Sequence, residues 1–301
     1  MNIYLPIAEM SVNIFVILTL GAITGVLAGL FGVGGGFLMS PLLMFIGVPP
    51  SVVVPTVANQ TIASSVSGFL AHLRRENVDF KMGWYLLAGG MVGSSAGVAL
   101  FRWLKNLGHI DLIISLSYVT FLGIIGSIMA AESIRTILKI PKKQTTNNRL
   151  PLAERLPFKV EFPRSKLNIS AIMPLAIGFL VGVMMSLMGS GGFFLIPAMI
   201  YLLGMPTNVV IGTSLFQIIF ITANVTFLQA ITTKTVDLML ALLLISGSVF
   251  GAQIGSRIGT KLPAEYLRAL LAALVLGVAI KLAFGLLTPP DNFYSVSVLD
   301  D

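Results

Sequence analysis

The sequence predicts an all-α, polytopic transmembrane protein built from two inverted-topology repeats. Each repeat holds about five hydrophobic segments, giving 8–10 membrane segments with one short or broken helix per half. Three observations predict it: an apolar composition, ten apolar stretches, and an internal repeat of glycines. Of 301 residues 56% are apolar and 10% charged, with mean hydropathy +0.95. A soluble domain carries roughly 25% charge, which its surface needs to stay dispersed. Here the outer solvent has to be lipid.

The stretches fall at 11–32, 37–48, 51–73, 82–104 and 110–138, then at 171–188, 193–204, 207–231, 236–258 and 264–287. Crossing the hydrocarbon takes about 20 helical residues. Eight stretches meet that length, while 37–48 and 193–204 are short and follow glycine clusters. Either they cross as broken helices or they re-enter beside their predecessors. The domains expected are a first repeat (1–138), a basic linker (139–168), a second repeat (169–288) and a tail (289–301).

The two sets of five match residue for residue. A shift of 157 carries Gly21, Gly25 and Gly32 onto Gly178, Gly182 and Gly189, and Gly34, Gly35 and Phe37 onto Gly191, Gly192 and Phe194. It also carries Gly47, Pro49, Thr56 and Gln60 onto Gly204, Pro206, Thr213 and Gln217. A shift of 158 takes Val78-Asp79 to Val236-Asp237, and Gly89, Gly93 and Gly97 to Gly247, Gly251 and Gly255. Coincidence at so constant an offset is a duplicated unit.

Charge sets the topology. The net charge of +7 comes from 19 bases against 12 acids, and eight bases lie between Lys139 and Lys166. Bases concentrate on the cytoplasmic side of membrane spans. With the 139–168 linker inside and every stretch reversing direction, fifteen bases lie inside and only Arg102, Lys105, Lys234 and Lys281 outside. Both termini then lie outside a plasma membrane. Five reversals per half is odd, so the second repeat is inverted relative to the first, as in many secondary transporters. No Lys or Arg precedes Arg74, so the first stretch is expected as a permanent span rather than a cleaved signal.

Two features could hold a ligand. The first is the cluster Gly34, Gly35 and Gly36 with its twin Ser190, Gly191 and Gly192, each followed by a short helix containing proline (Pro41, Pro197). Broken backbone survives at membrane depth only where protein or a cavity satisfies it. A helix starting at such a break aims N–H groups at the cavity, which suits an anion. Close packing through small residues is the alternative use of such glycines. The second feature is a polar face, Thr56, Asn59 and Gln60 at i, i+3, i+4, answered by Thr213, Ser214 and Gln217. Such groups in lipid face protein or substrate, and interhelical bonding is their other use.

Several classes are excluded. No acid lies mid-span; Asp111, Glu132, Asp237 and Glu265 all sit near ends, so a cation carrier is disfavoured. The absence of cysteine removes disulfides and thiolate metal sites. No Gly-Lys pair exists, hence no Walker lysine. Gly93-Ser94-Ser95-Ala96-Gly97 matches the G-x-S-x-G string of serine hydrolases, but Gly89, Gly93 and Gly97 form a four-residue ladder, the pattern of a packing seam. Of the two histidines, His72 lies beside Arg74-Arg75, where an interfacial role suits it, and His109 carries no motif. No aromatic–basic platform for nucleic acid is present. The partners expected are a small anion and the lipid bilayer, with homo-oligomerisation left open and no cofactor. An anion-selective channel and an intramembrane enzyme or assembly factor are the alternatives.

Together these features resemble the sulfite exporter TauE/SafE family, also called toluene-sulfonate uptake permeases. The resemblance rests on Gly25-x3-Gly29-x2-Gly32-Val-Gly-Gly-Gly36 running into Phe37 and Pro41, on the Gly-x-Pro turn at 47–49, on the Thr56–Gln60 run, and on their near repetition from Gly182. It covers about 12–287, and the second cluster is one glycine short. The resemblance implies secondary transport of sulfite, sulfonates or related organosulfur anions, with export as the leading expectation and the substrate near the midplane between the repeats.

Overall fold

A computed structural model describes residues 2–31, 36–74, 76–137, 157–165, 167–259 and 264–287. Gly34 and Gly35, most of the 139–168 linker and the 289–301 tail lie outside the described residues. Among those described, ten helices coincide with the ten apolar stretches. The first half holds α1 (Ile14–Phe31), α2 (Gly36–Phe45), α3 (Pro50–Leu73), α4 (Phe80–Asn106) and α5 (Ile110–Ile137). The second holds α6 (Ile172–Met188), α7 (Gly192–Pro197), continued by a π-helical turn over Ala198–Leu202, α8 (Thr207–Thr232), α9 (Leu238–Gly259) and α10 (Ala264–Leu287). Five helices are long and apolar enough to cross a membrane, and α1, α2 and α6 are shorter apolar helices. Polytopic membrane insertion follows.

Helix boundaries have local causes. Pro49-Pro50 and Pro206 open α3 and α8, where a missing N–H costs nothing. Asp79 caps α4 by accepting from the Met82 N–H at 3.0 Å, and Asp237 does the same for α9 through Leu240 at 3.0 Å. α6 stops at Gly189, whose φ of +68° closes the helix in the left-handed region.

Two antiparallel hairpins were not expected. β1 (Asn2–Leu5) pairs with β2 (Met10–Asn13) ahead of α1, and β3 (Lys159–Phe162) with β4 (Leu167–Ser170) ahead of α6. Buried Leu5 and Val12 stand at the same shift of 157 from buried Phe162 and Ile169, so the constant offset extends back into the hairpins. The last third of the expected linker is therefore folded as a hairpin ahead of α6.

The halves interlock rather than stand side by side. The two most extensive interfaces are α1 with α9 and α4 with α6, each joining a first helix of one half to a fourth helix of the other. Glycine makes them. A Cβ on Gly89, Gly93, Gly247, Gly251 or Gly255 would come within 3 Å of facing backbone, at Leu175, Phe179, Leu18, Ala22 and Val26 respectively. Residue numbers rise together along both members of each pair, so the paired helices run parallel.

Hydrogen bonds place the remaining elements at two ends of the bundle. At one end Asp79, starting α4, meets Thr213 near the start of α8 and Ser165 of the β3–β4 hairpin. At the other, Asp237, starting α9, meets Thr56 near the start of α3 and Ile7 of the β1–β2 hairpin. Thus α3 and α8 run antiparallel. α2 leaves the centre at Gly36, passes Thr24 of α1 at Met39, and ends with Phe45 under the Lys281 ammonium at 4.2 Å. It runs back toward the Asp237 end from which α1 set out.

Candidate functional site

The start of α2 meets the second chain break inside the bundle. Gly36, opening α2, lies against Ser190 in the second break and Thr61 of α3; a Cβ on Gly36 would stand 2.8 Å from the Ser190 Cβ and overlap the Thr61 hydroxyl. The Ser190 hydroxyl is buried and has no hydrogen-bond partner. The Ser65 hydroxyl, one turn beyond Thr61 on the same face, is buried and unpartnered too. The Thr61 hydroxyl donates to the Val57 carbonyl at 2.9 Å.

Gln60 is the sharpest feature. Its side chain is 0% exposed, and neither its amide nitrogen nor its carbonyl oxygen has a partner. A buried amide left so costs on the order of 1–3 kcal/mol per group. Its repeat counterpart Gln217 is equally buried but donates to the Leu86 carbonyl at 3.3 Å, leaving only its oxygen unpaired. The matched residues are therefore in different states within one structure.

The other expected residues divide between centre and flanks. Thr56 and Thr213 sit one turn, about 6 Å, from Gln60 and Gln217, and accept from the Asp237 and Asp79 N–H at 3.1 and 2.9 Å. They join the halves. Ser214 is buried and donates to the Ile211 carbonyl at 2.9 Å. Gly191 packs on the Met185 side chain and Gly192 starts α7. Asn59 is half-buried, and its counterpart is Phe216, which centres a cluster with Phe69, Phe80, Trp84 and Phe220 at ring distances of 5.2 to 5.8 Å. An aromatic cluster therefore stands toward the Asp79 end at the position where the first half carries the Asn59 amide.

Residues outside the expected set support the centre. Tyr118 of α5 donates its hydroxyl to the Met188 carbonyl, the last of α6, and the Ser40 hydroxyl of α2 approaches the same oxygen at 3.5 Å. A lone tyrosine in an apolar run carried no signal of this role. Tyr118→Phe is expected to cost about 1 kcal/mol, seen as a thermal transition in detergent lowered by roughly 2 °C. Asn224 of α8 donates to Ser94 and Ser95 of α4 at 2.8 and 3.2 Å. Ser95 faces outward, and the Gly93 and Gly97 beside it pack on α6, so the G-x-S-x-G string lies on a helix seam.

The centre offers the Ser190 and Thr61 hydroxyls at the N-terminus of a ten-residue helix, with the Gln60 amide one residue before Thr61 on α3. The buried carboxylates of Asp79 and Asp237 are committed to N–H and hydroxyl donors. A desolvated anion finds donors here and, among the described residues, no opposing free charge.

The profile of a family described as Sulfite exporter TauE/SafE matches residues 17–282. The "Probable membrane transporter protein YjnA" of Bacillus subtilis is 30% identical over 238 residues, covering 78% of this chain and 86% of that protein. The same organism's "Probable membrane transporter protein YunE" is 29% identical, covering 79% and 85%. "Sulfite exporter TauE/SafE family protein 3" of Arabidopsis thaliana is 36% identical over 99 residues, 32% of this chain and 20% of that protein. No solved structure matches the chain significantly.

Proposed function

The chain belongs to the sulfite exporter TauE/SafE family, a family of membrane transporters, and from that premise we propose that it is a secondary transporter of small sulfur-containing anions. Sulfite, sulfonates and related organosulfur anions are the substrate class, moved outward across the plasma membrane. The observation that carries the proposal is Gln60, an amide buried without partners on α3, whose next residue Thr61 meets the start of α2 at Gly36. Transient occupancy by an anion would supply the acceptor that its N–H groups lack.

The two halves act as inverted repeats holding substrate near the midplane. Parallel packing of α1 on α9 and of α4 on α6, with α3 antiparallel to α8, supports this arrangement. So does the entry of α1 and α6 from opposite ends of the bundle. The bases Lys81 and Arg164 lie at the Asp79 end, which supports reading that end and the linker as cytoplasmic and both termini as outside.

Radiolabelled sulfite uptake into proteoliposomes tests the substrate. Saturable uptake that excess unlabelled sulfonate inhibits is the expected result. Flux that rises linearly with concentration would indicate a channel, and uptake no greater than in empty liposomes under proton and voltage gradients would remove sulfite.

A further inference from the structure

Each hairpin is tied to the half it does not belong to, and the ties are copies of one another. The β1–β2 turn belongs to the first half, yet its Ile7 N–H donates at 3.3 Å to Oδ2 of Asp237, which starts α9 of the second. The β3–β4 turn belongs to the second half, yet the Ser165 N–H and hydroxyl donate to Oδ2 of Asp79, which starts α4 of the first, the N–H at 3.1 Å. In both places Oδ1 caps the helix, and the aspartate's own N–H donates to a threonine of the other half. Both aspartates are almost fully buried. The β1–β2 hairpin buries Leu5, Ala8 and Val12 among residues of α2, α3 and α9, and so bridges the two halves over the Asp237 end. The β3–β4 hairpin does the same over the Asp79 end with Phe162, Leu167 and Ile169.

We infer that the two hairpins are straps that close the two mouths of the site, each held by a single aspartate, and that releasing one strap opens the centre to that face alone. A carboxylate suits this use because its two oxygens divide the work. One keeps the helix capped throughout, while the other is free to let its strap go without fraying the helix. The site lies one turn below each threonine that accepts from these aspartates, so a strap's departure uncovers Gln60 from one face or Gln217 from the other.

The straps are unequal. At the Asp79 end Arg164 pairs with Glu76 at 3.5 Å and bonds its carbonyl, and Lys81 donates to the Glu161 carbonyl at 2.8 Å. Among the described residues the Asp237 strap has only the Ile7 contact to its aspartate. The resting protein therefore opens more readily at the Asp237 face.

The natural lack of cysteine makes the test direct. Ser190→Cys provides one reporter thiol at the centre, and a membrane-impermeant maleimide is applied to sealed vesicles of each orientation. With the straps intact, modification is expected to be slow, and faster from the Asp237 face. Asp79→Ser keeps a capping oxygen but loses the one that holds the strap, and should raise labelling about tenfold from the Asp79 face only. Asp237→Ser should do so from the opposite face only. Ser165→Ala leaves the α4 cap untouched and should act in the same direction as Asp79→Ser, which guards against a variant that fails to assemble. Rates unchanged in all three variants, or raised alike from both faces, would overturn the inference. Labelling requires no transported substrate, so a wrong assignment of the anion leaves this readout intact.

Discussion

Gln60→Ala is expected to lower anion uptake about 10- to 100-fold while leaving the protein monodisperse. The magnitude follows from hydrogen bonds to a charged group, worth about 1.5–3 kcal/mol each in a desolvated site. Folding should not suffer, because neither end of this amide bonds to the protein. Removing it even relieves a buried polar group, so the thermal transition should hold or rise slightly. Gln217→Ala should behave differently: it deletes a bond to the Leu86 carbonyl, so it should lose stability as well as transport. Gln60→Glu sharpens the comparison, since a carboxylate of the same shape faces the anion with like charge, and uptake should fall to background. If Gln60→Ala transported normally, the substrate path would have to run elsewhere than past α3.

Gly93→Val is expected to reduce the folded, monodisperse fraction to below about a tenth of wild type in size-exclusion chromatography from detergent. At Gly93 the obstruction to a Cβ is the Phe179 backbone, not a side chain that could swing aside. The valine therefore forces α4 and α6 apart along their length. Overpacking commonly costs about 1–3 kcal/mol, and more where backbone is the obstacle. Gly251→Val should fail in the same way against Ala22 of α1, which makes the two seams a matched pair. Gly123→Val is the control, because nothing lies within 4 Å of the position a Cβ would take there. Its elution profile should be that of the wild type.

The sequence reads well where physics is local or repeated. Segment ends fell within a few residues because hydrocarbon thickness and proline or glycine boundaries act through neighbouring residues. The glycine ladders were visible because the α1–α9 and α4–α6 seams leave no room for a Cβ. What could not be read is which helix faces which. Nothing in the Gly89–Gly97 ladder says that its partner is α6 rather than another first-half helix. The hairpins escaped because four-residue strands give too short an alternation, and Lys159, Glu161 and Arg164 resemble an ordinary charged loop.

Thr56 and Gln60 show the same limit in the site. Their i, i+4 spacing puts them on one face of α3, yet the threonine holds the halves together while the glutamine stays unpaired. Asp79 and Asp237 were conspicuous as a repeated Val-Asp pair, but hydropathy registers only that they stand near helix starts. Their bonds to the opposite half depend on elements more than 80 residues away.

The parallel seam between α1 and α9 also sets a schedule for biogenesis. Gly21 meets Gly247, which lies 226 residues later in the chain. At roughly 5–20 residues per second, α1 waits on the order of 10–45 s after its synthesis for the helix that fills its groove. During that interval its glycine face stands in lipid without a partner, next to newly inserted helices that could occupy it wrongly. The first half on its own is thus an intermediate that the cell has to shelter, and truncation anywhere before α9 should yield a product cleared by quality control rather than a smaller transporter.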